Sequence, residues 1–250
     1  MNQIALIDTS GNYTFEYLQK IASVMTYQTQ QHYKPYWGRT GEYVAYRSES
    51  EAPESAWRCR IVAEMAEKDR GLLGYHLTEI RNGVRYPFMI VQYHGRETER
   101  TISHEGLETW EDPFVDNFKM VTAQDANRQS IEILVEISDP VQSSEFGYEH
   151  DGILLSNFFL PSFYNLVHVP GTKYDYMGWI ERPRQLLDGG YISFKDARGV
   201  WWQAFNRSNQ LVFKKLGDNQ ASLTAQDQGR ILEMIGIVTL VILIIIAIIK

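Results

Sequence analysis

Residues 103–113 read SHEGLETWEDP, and the pattern inside them, H-E-x-x-E, is one letter away from the H-E-x-x-H by which a helix holds a zinc ion. Side chains four apart on a helix project from the same face, so His104 and Glu108 can share one cation. Glu105, the next residue after His104, stands beside that pair, where a carboxylate can act as general base on a water molecule. A catalytic centre of this type needs a third protein ligand and keeps one position for water. Asp139, Glu136 and Asp112 are the candidates. Asp139 is favoured because the strand-ending turn in VEISDPV presents it; Glu136 is next, and Asp112, one turn past Glu108, could instead cap or brace the helix end.

Replacing a second histidine by Glu108 adds a negative charge to the ligand set. With one further carboxylate a divalent ion is formally neutralised, and water bound to it is less acidic than at a three-histidine centre. Oxygen-rich coordination admits Mn or Fe as well as Zn. The plainer alternative is that 98–111 is a solvated acidic helix with a stray histidine. His32, His94, His150 and His168 lack partners at ligand spacing and read as structural; His76, after GLLGY, reads as a loop histidine with a lesser claim to line a cleft. Cys59 is the only cysteine, which excludes a disulfide framework and a cysteine-rich zinc knuckle. Any metal is therefore held by histidine and carboxylates.

The elements that must position these residues follow from periodicity and punctuation. IALID (4–8) reads as a strand, and Phe15, Leu18, Ala22 and Met25 recur at helical spacing, so a helix is predicted from about Thr14 to Tyr33, stopped by Pro35 and Gly38. EYVAYR (42–47), WRCRIVAEM (57–65) and YPFMIVQYH (86–94) favour strand, the last as an edge strand because Pro87 removes a ladder donor. DRGLLGYH (69–76) reads as a glycine-punctuated loop and RNG (81–83) as a turn. Thr98–Glu111 reads as a helix facing a core with Ile102, Leu107 and Trp110, and SIEILVEIS (130–138) as a half-buried strand. A β-α-β-β-β order followed by a helix bearing H-E and a later acidic ligand is the order of zincin-type peptidases.

Ser103, His104, Glu105, Glu108, Asp112 and Pro113 match the S-H-E-x-x-E-x-x-x-D-P helix of a family of bacterial and phage proteins described by that motif as zincin-like metallopeptidases, which this chain resembles. QTQQHYKPYWG (28–38), GLLGYH (71–76), VEISDPV (135–141), GILLSNFFLPSFY (152–164) and LLDGGYISF (186–194) are also similar to the family. The resemblance implies the metal site and not a substrate. QHY at 31–33 departs from it, standing where an acidic-aromatic pair is expected, and so does the apolar tail.

The whole sequence is thus expected to be α+β: a zincin-like mixed sheet with an active-site helix, then an aromatic-rich β and loop region, over residues 1–205. A polar stalk is expected over 206–230 and a transmembrane anchor over 231–250. The last nineteen residues before Lys250 are apolar apart from Glu233, and at ~1.5 Å per residue they span roughly 28 Å. Lys214, Lys215 and Arg230 precede that span, which places the folded part on the cytoplasmic side, or in a virion membrane for a phage protein. A net charge of −7 with no basic stripe argues against nucleic-acid partners. The expected function is a membrane-anchored metallohydrolase acting on peptides, with membrane lipid as a partner. The alternative is a non-enzymatic membrane-associated structural protein, of a phage virion for example, that contacts virion or host proteins.

Overall fold

A computed structural model describes residues 2–122 and 130–217. β-branched and aromatic runs pair into two five-stranded sheets. In the first, β1 (Asn2–Asp8), β2 (Gly41–Tyr46), β3 (Trp57–Val62), β4 (Gly74–Arg81) and β5 (Val84–Gln92) lie in the order β2-β1-β3-β5-β4. β1 pairs in parallel with β2 and β3, and β3 with β5; only β4 runs antiparallel. The second sheet is antiparallel throughout, in the order β12-β11-β10-β7-β6, from β6 (Phe118–Thr122), β7 (Ser130–Leu134), β10 (Tyr191–Lys195), β11 (Trp201–Arg207) and β12 (Gln210–Gly217). β8 (Tyr148–His150) and β9 (Ile153–Leu155) form a small hairpin.

Helix α1 (Phe15–Tyr27) starts at Thr14, whose hydroxyl accepts the Tyr17 N–H, a standard N-cap. The α-helix expected to run to Tyr33 ends at Tyr27, but the helical stretch continues past Tyr33. A π-helical turn, Gln28–Tyr33, leads into α2 (Lys34–Trp37), and Gly38 closes the run in the left-handed conformation at φ 78°. Pro35 is tolerated because it sits in the first turn of α2, where its missing N–H is not required.

Helix α3 (Arg96–Glu111) carries the motif, and every residue from Thr98 to Glu111 is buried. Ile102, Leu107 and Trp110 join one apolar cluster running from Ile4 and Leu6 of β1 to Phe158, Phe159 and Phe163. Close approach to the first sheet depends on small residues. A Cβ at Gly106 would lie 1.9 Å from the Tyr43 hydroxyl, so the residue between Glu105 and Leu107 must be glycine for β2 and α3 to meet. Ser103 ties the same helix to its other neighbours: its hydroxyl donates to Gln28 Oε1 at 2.8 Å and accepts the Ser156 N–H at 2.9 Å.

Several expectations change. The stretch read as a loop up to His76 becomes β4 from Gly74 onward, joined to β5 by Asn82 and Gly83, both at positive φ (49° and 79°), as a two-residue hairpin requires. β5 is therefore interior and β4 is the edge. Pro87 costs nothing there, because pairing with β3 begins only at Phe88. The strand expected over 130–138 ends at Leu134; Glu136 N–H turns back to the Leu134 carbonyl, and residues 135–139 are all buried. Gln210–Gly217, in the stretch read as a polar stalk, forms β12.

The membrane anchor expected over 231–250 is corrected. Among the described residues no helix is long and apolar enough to cross a membrane, and 231–250 themselves lie outside the described residues. The fold supported is a mixed α/β one. The membrane-lipid partner, the membrane or virion-membrane location and the membrane-attached form of both functional readings fall with the anchor.

Candidate metal centre

The middle of α3 faces a cavity lined by His76, His104, Glu105, Glu108, Glu136, Asp139, Tyr191 and apolar residues including Leu72 and Leu134. Its volume of about 50 Å³ exceeds the roughly 10–15 Å³ one water requires. Helical spacing turns His104, Glu105 and Glu108 inward together. The break after β7 turns in Glu136, and a 3-10 turn at Asp139–Val141 presents Asp139. That turn is seated on Gly190, where a Cβ would stand 2.2 Å from the Pro140 carbonyl oxygen. The ISDPV and DGGY stretches therefore meet behind the site.

His104 Nε2 lies 3.4 Å from Glu108 Oε2 and 3.2 Å from Asp139 Oδ1. Ligands about 2.0–2.1 Å from a tetrahedral cation stand roughly 3.3–3.4 Å apart, so this triad has the dimensions of a closed metal face. The other Glu108 oxygen accepts the Ser138 N–H at 3.0 Å, which fixes the carboxylate and leaves Oε2 for the cavity. All three residues are buried, and their ligand atoms lie within 4.8 Å of one another. A His/Glu/Asp cluster geometrically compatible with a divalent metal is thus present, a coarse likeness to a zincin active site.

Glu105 Oε2 lies 3.3 Å from His76 Nδ1. Asp112 belongs to neither triad: its Oδ1 accepts the N–H groups of Asp116 and Asn117 at 2.9 and 3.0 Å, closing the turn after α3. Glu136 and His76, with Glu108, form a second group whose ligand atoms also fall within 4.8 Å of one another. His76 Nε2 and both Glu136 oxygens are buried without a hydrogen-bond partner among the described residues, as is His104 Nδ1. Orphaned acceptors and imidazole nitrogens at this density are what a cation would satisfy.

Electrostatics register the crowding. Burial alone would lower His104, but Glu108 and Asp139 beside it hold its pKa well above the ordinary value. His76 is likewise raised, burial being outweighed by Glu105 and Glu108. Burial, then the charge of Glu108, pushes Asp139 up to about 7. Glu136 is driven well above the carboxylate range by burial with Glu108 and Asp112 adding to it. Glu108 alone moves down, because His104 and His76 outweigh its burial.

His76 and Tyr191 are the site neighbours that spacing did not reveal. The Asn82-Gly83 hairpin signal implied a strand before it, and extending that strand backward reaches His76, the one buried residue of β4. Tyr191, which borders the cavity beside Asp139, follows Gly190, which fits against Pro140. Comparison with protein-family models, with curated proteins and with solved structures returns no match, so nothing assigns the chain to the specific bacterial and phage family it resembles.

Proposed function

We propose that the protein is a metal-dependent hydrolase in which His104, Glu108 and Asp139 hold one divalent cation and Glu105 is the general base. The observation that carries this reading is the pair of distances from His104 Nε2, 3.4 Å to Glu108 and 3.2 Å to Asp139, with all three side chains buried. Those edges favour Zn²⁺ among the divalent ions; Mn²⁺ and Fe²⁺ suit the same oxygen-rich donors. A bound cation supplies Lewis acidity to the reaction.

The chain's own residues do the rest. Glu105 takes the proton from the attacking water and returns it to the leaving amine, with its Oε2 steadied by His76 Nδ1 at 3.3 Å. Tyr191 borders the cavity beside Asp139, its phenol kept neutral by burial and by the nearby Asp139 charge. Leu72 and Leu134 add apolar lining to the cavity. Peptide is the substrate class that fits, because β4 ends its sheet and borders the cavity through Gly74, Tyr75 and His76, so an extended chain can pair along it.

Metal analysis of the full chain tests the reading. Bound transition metal is expected in the wild type and in Glu105→Gln, whereas hydrolysis of an unfolded protein substrate falls in Glu105→Gln by about 10²–10⁴-fold. A folded chain that takes up no metal at any added concentration sinks the proposal.

A further inference from the structure

His76, Glu108 and Glu136 form a second ligand set on the other side of Glu108, and the hydrolase reading leaves Glu136 with nothing to do. His76 comes from the edge strand, Glu108 from α3 and Glu136 from the bend after β7, so three separate elements deliver side chains to one point. His76 is 3% exposed and Glu136 7%. His76 Nε2 faces Glu136 Oε2 at 3.6 Å, too long for a hydrogen bond, and neither atom has another partner among the described residues. Adjacent ligands around one cation at about 2.0–2.2 Å stand roughly 3.0–3.6 Å apart, the spacing found here. The opposite ring nitrogen, Nδ1, faces Glu105 at 3.3 Å. A ligating histidine whose second nitrogen donates to a carboxylate has its tautomer and ring orientation fixed.

Glu108 joins the two sets through one atom. Its Oε2 lies 3.4 Å from His104 Nε2, the ligand atoms of His76, Glu108 and Glu136 lie within 4.8 Å of one another, and Oε1 is held by Ser138. Charge leads to the same arrangement. Glu105, Glu108, Glu136 and Asp139 all line the cavity, and none of the described residues lining it is lysine or arginine. With both histidines neutral as ligands, one divalent cation balances two of these four carboxylates, and two cations balance all four.

We propose that the cavity is a two-cation centre, with His104 and Asp139 on one divalent ion, His76 and Glu136 on a second, and Glu108 Oε2 bridging them. The inference rests on the hydrolase reading for its first cation and adds the second. Bridged ions of this kind sit about 3.5–4 Å apart, close enough for paired Mn²⁺ spins to couple.

The test loads the metal-stripped full chain with Mn²⁺ and reads stoichiometry by elemental analysis and coupling by electron paramagnetic resonance. Two equivalents and an exchange-coupled spectrum are expected for the wild type. Glu136→Gln and His76→Ala are each expected to retain one equivalent with the six-line signal of an isolated ion. Glu136→Gln is nearly isosteric and carries the test alone if His76→Ala does not fold, as judged by circular dichroism. One equivalent in the wild type, kept in Glu136→Gln and lost in His104→Ala, overturns the second site and leaves the hydrolase reading standing. One equivalent lost from both of those variants means a single cation shared by all the ligands, and it also overturns the two-cation centre. No uptake by folded wild-type chain removes both readings.

Discussion

The buried glutamates at the two ends of α3 are each answered by a phenol, whereas those in its middle face other acids. Glu99 Oε1 accepts from the Tyr17 hydroxyl at 2.5 Å, and Glu111 Oε2 from the Tyr33 hydroxyl at 2.6 Å. Glu105 and Glu108 share residue type, helix and depth of burial with them, yet they converge with Glu136 and Asp139 around two imidazoles. A neutral hydroxyl satisfies one solitary buried acid. It cannot offset four. Burial of charge on this helix therefore does not itself mark a site; what marks it is a surplus of acceptors over donors.

The largest effect that separates the two regions is metal retention. Glu108→Ala removes the atom common to both ligand sets and is expected to abolish metal uptake, a loss beyond the roughly 10–100-fold cost of losing an outer-shell partner. Tyr33→Phe deletes the phenol answering Glu111 and is expected to leave metal content unchanged. Its cost is in stability, roughly 1.5–3 kcal/mol for a hydrogen bond to a charged group, read by urea denaturation. If Tyr33→Phe also empties the site, the ends and middle of the helix are one unit and the contrast is wrong.

Gly74 gives a smaller, sharper test inside the middle region. A Cβ there would lie 2.5 Å from Thr101 Cγ2 and 3.1 Å from the Glu105 carboxylate. Gly74→Ala is expected to push β4 off α3 at a cost of roughly 1–3 kcal/mol. Because it shifts the base and not the His104 ligand set, hydrolysis should fall while the cation held by His104 and Asp139 is retained. Equal loss of both would assign Gly74 to the metal site itself.

What could be read beforehand divides along similar lines. His104, Glu105 and Glu108 were legible because helical periodicity is local and fixes which side chains share a face. Asp139 was reachable through the Asp-Pro turn. The alternation Ile131, Ile133, Val135, Ile137 suggested a strand to Ser138, but the chain bends after Leu134 to bring Glu136 inward, a choice made by the cavity and not by local propensity. His76 was hidden by the glycines before it, which resemble loop punctuation, although Gly74 serves here as room for Thr101 and Glu105. The solvated-helix alternative failed for a tertiary reason: α3 is packed on every side, and that depends on Gly106 against Tyr43 and on Ser103 between Gln28 and Ser156. No periodicity within 98–111 reports such contacts.

The smallest expected effect is the pH dependence of stability in chain stripped of divalent cations. Burial, then the Glu108 charge, raises Asp139 from 3.8 to about 7, so across that window the folded chain holds a proton that the unfolded chain has released. Stability then falls as pH rises. Glu136, raised by burial and its acidic neighbours, acts in the same sense. So do His104 and His76, whose raised folded values give stability that is complete below the ordinary histidine range and is lost as pH climbs through the folded values. Glu108 is lowered, so its contribution is complete above its ordinary value of 4.5 and adds no slope at higher pH. Between about pH 5 and 8 the cation-free melting temperature should therefore decline, by about 2–4 °C for each kcal/mol lost. Cations compete with protons for the same lone pairs, so saturating Zn²⁺ should flatten or reverse that decline. Thermal melts in chelator and in Zn²⁺ over this range measure it. A cation-free slope that is flat or rising would mean the middle of α3 is as well answered as its ends.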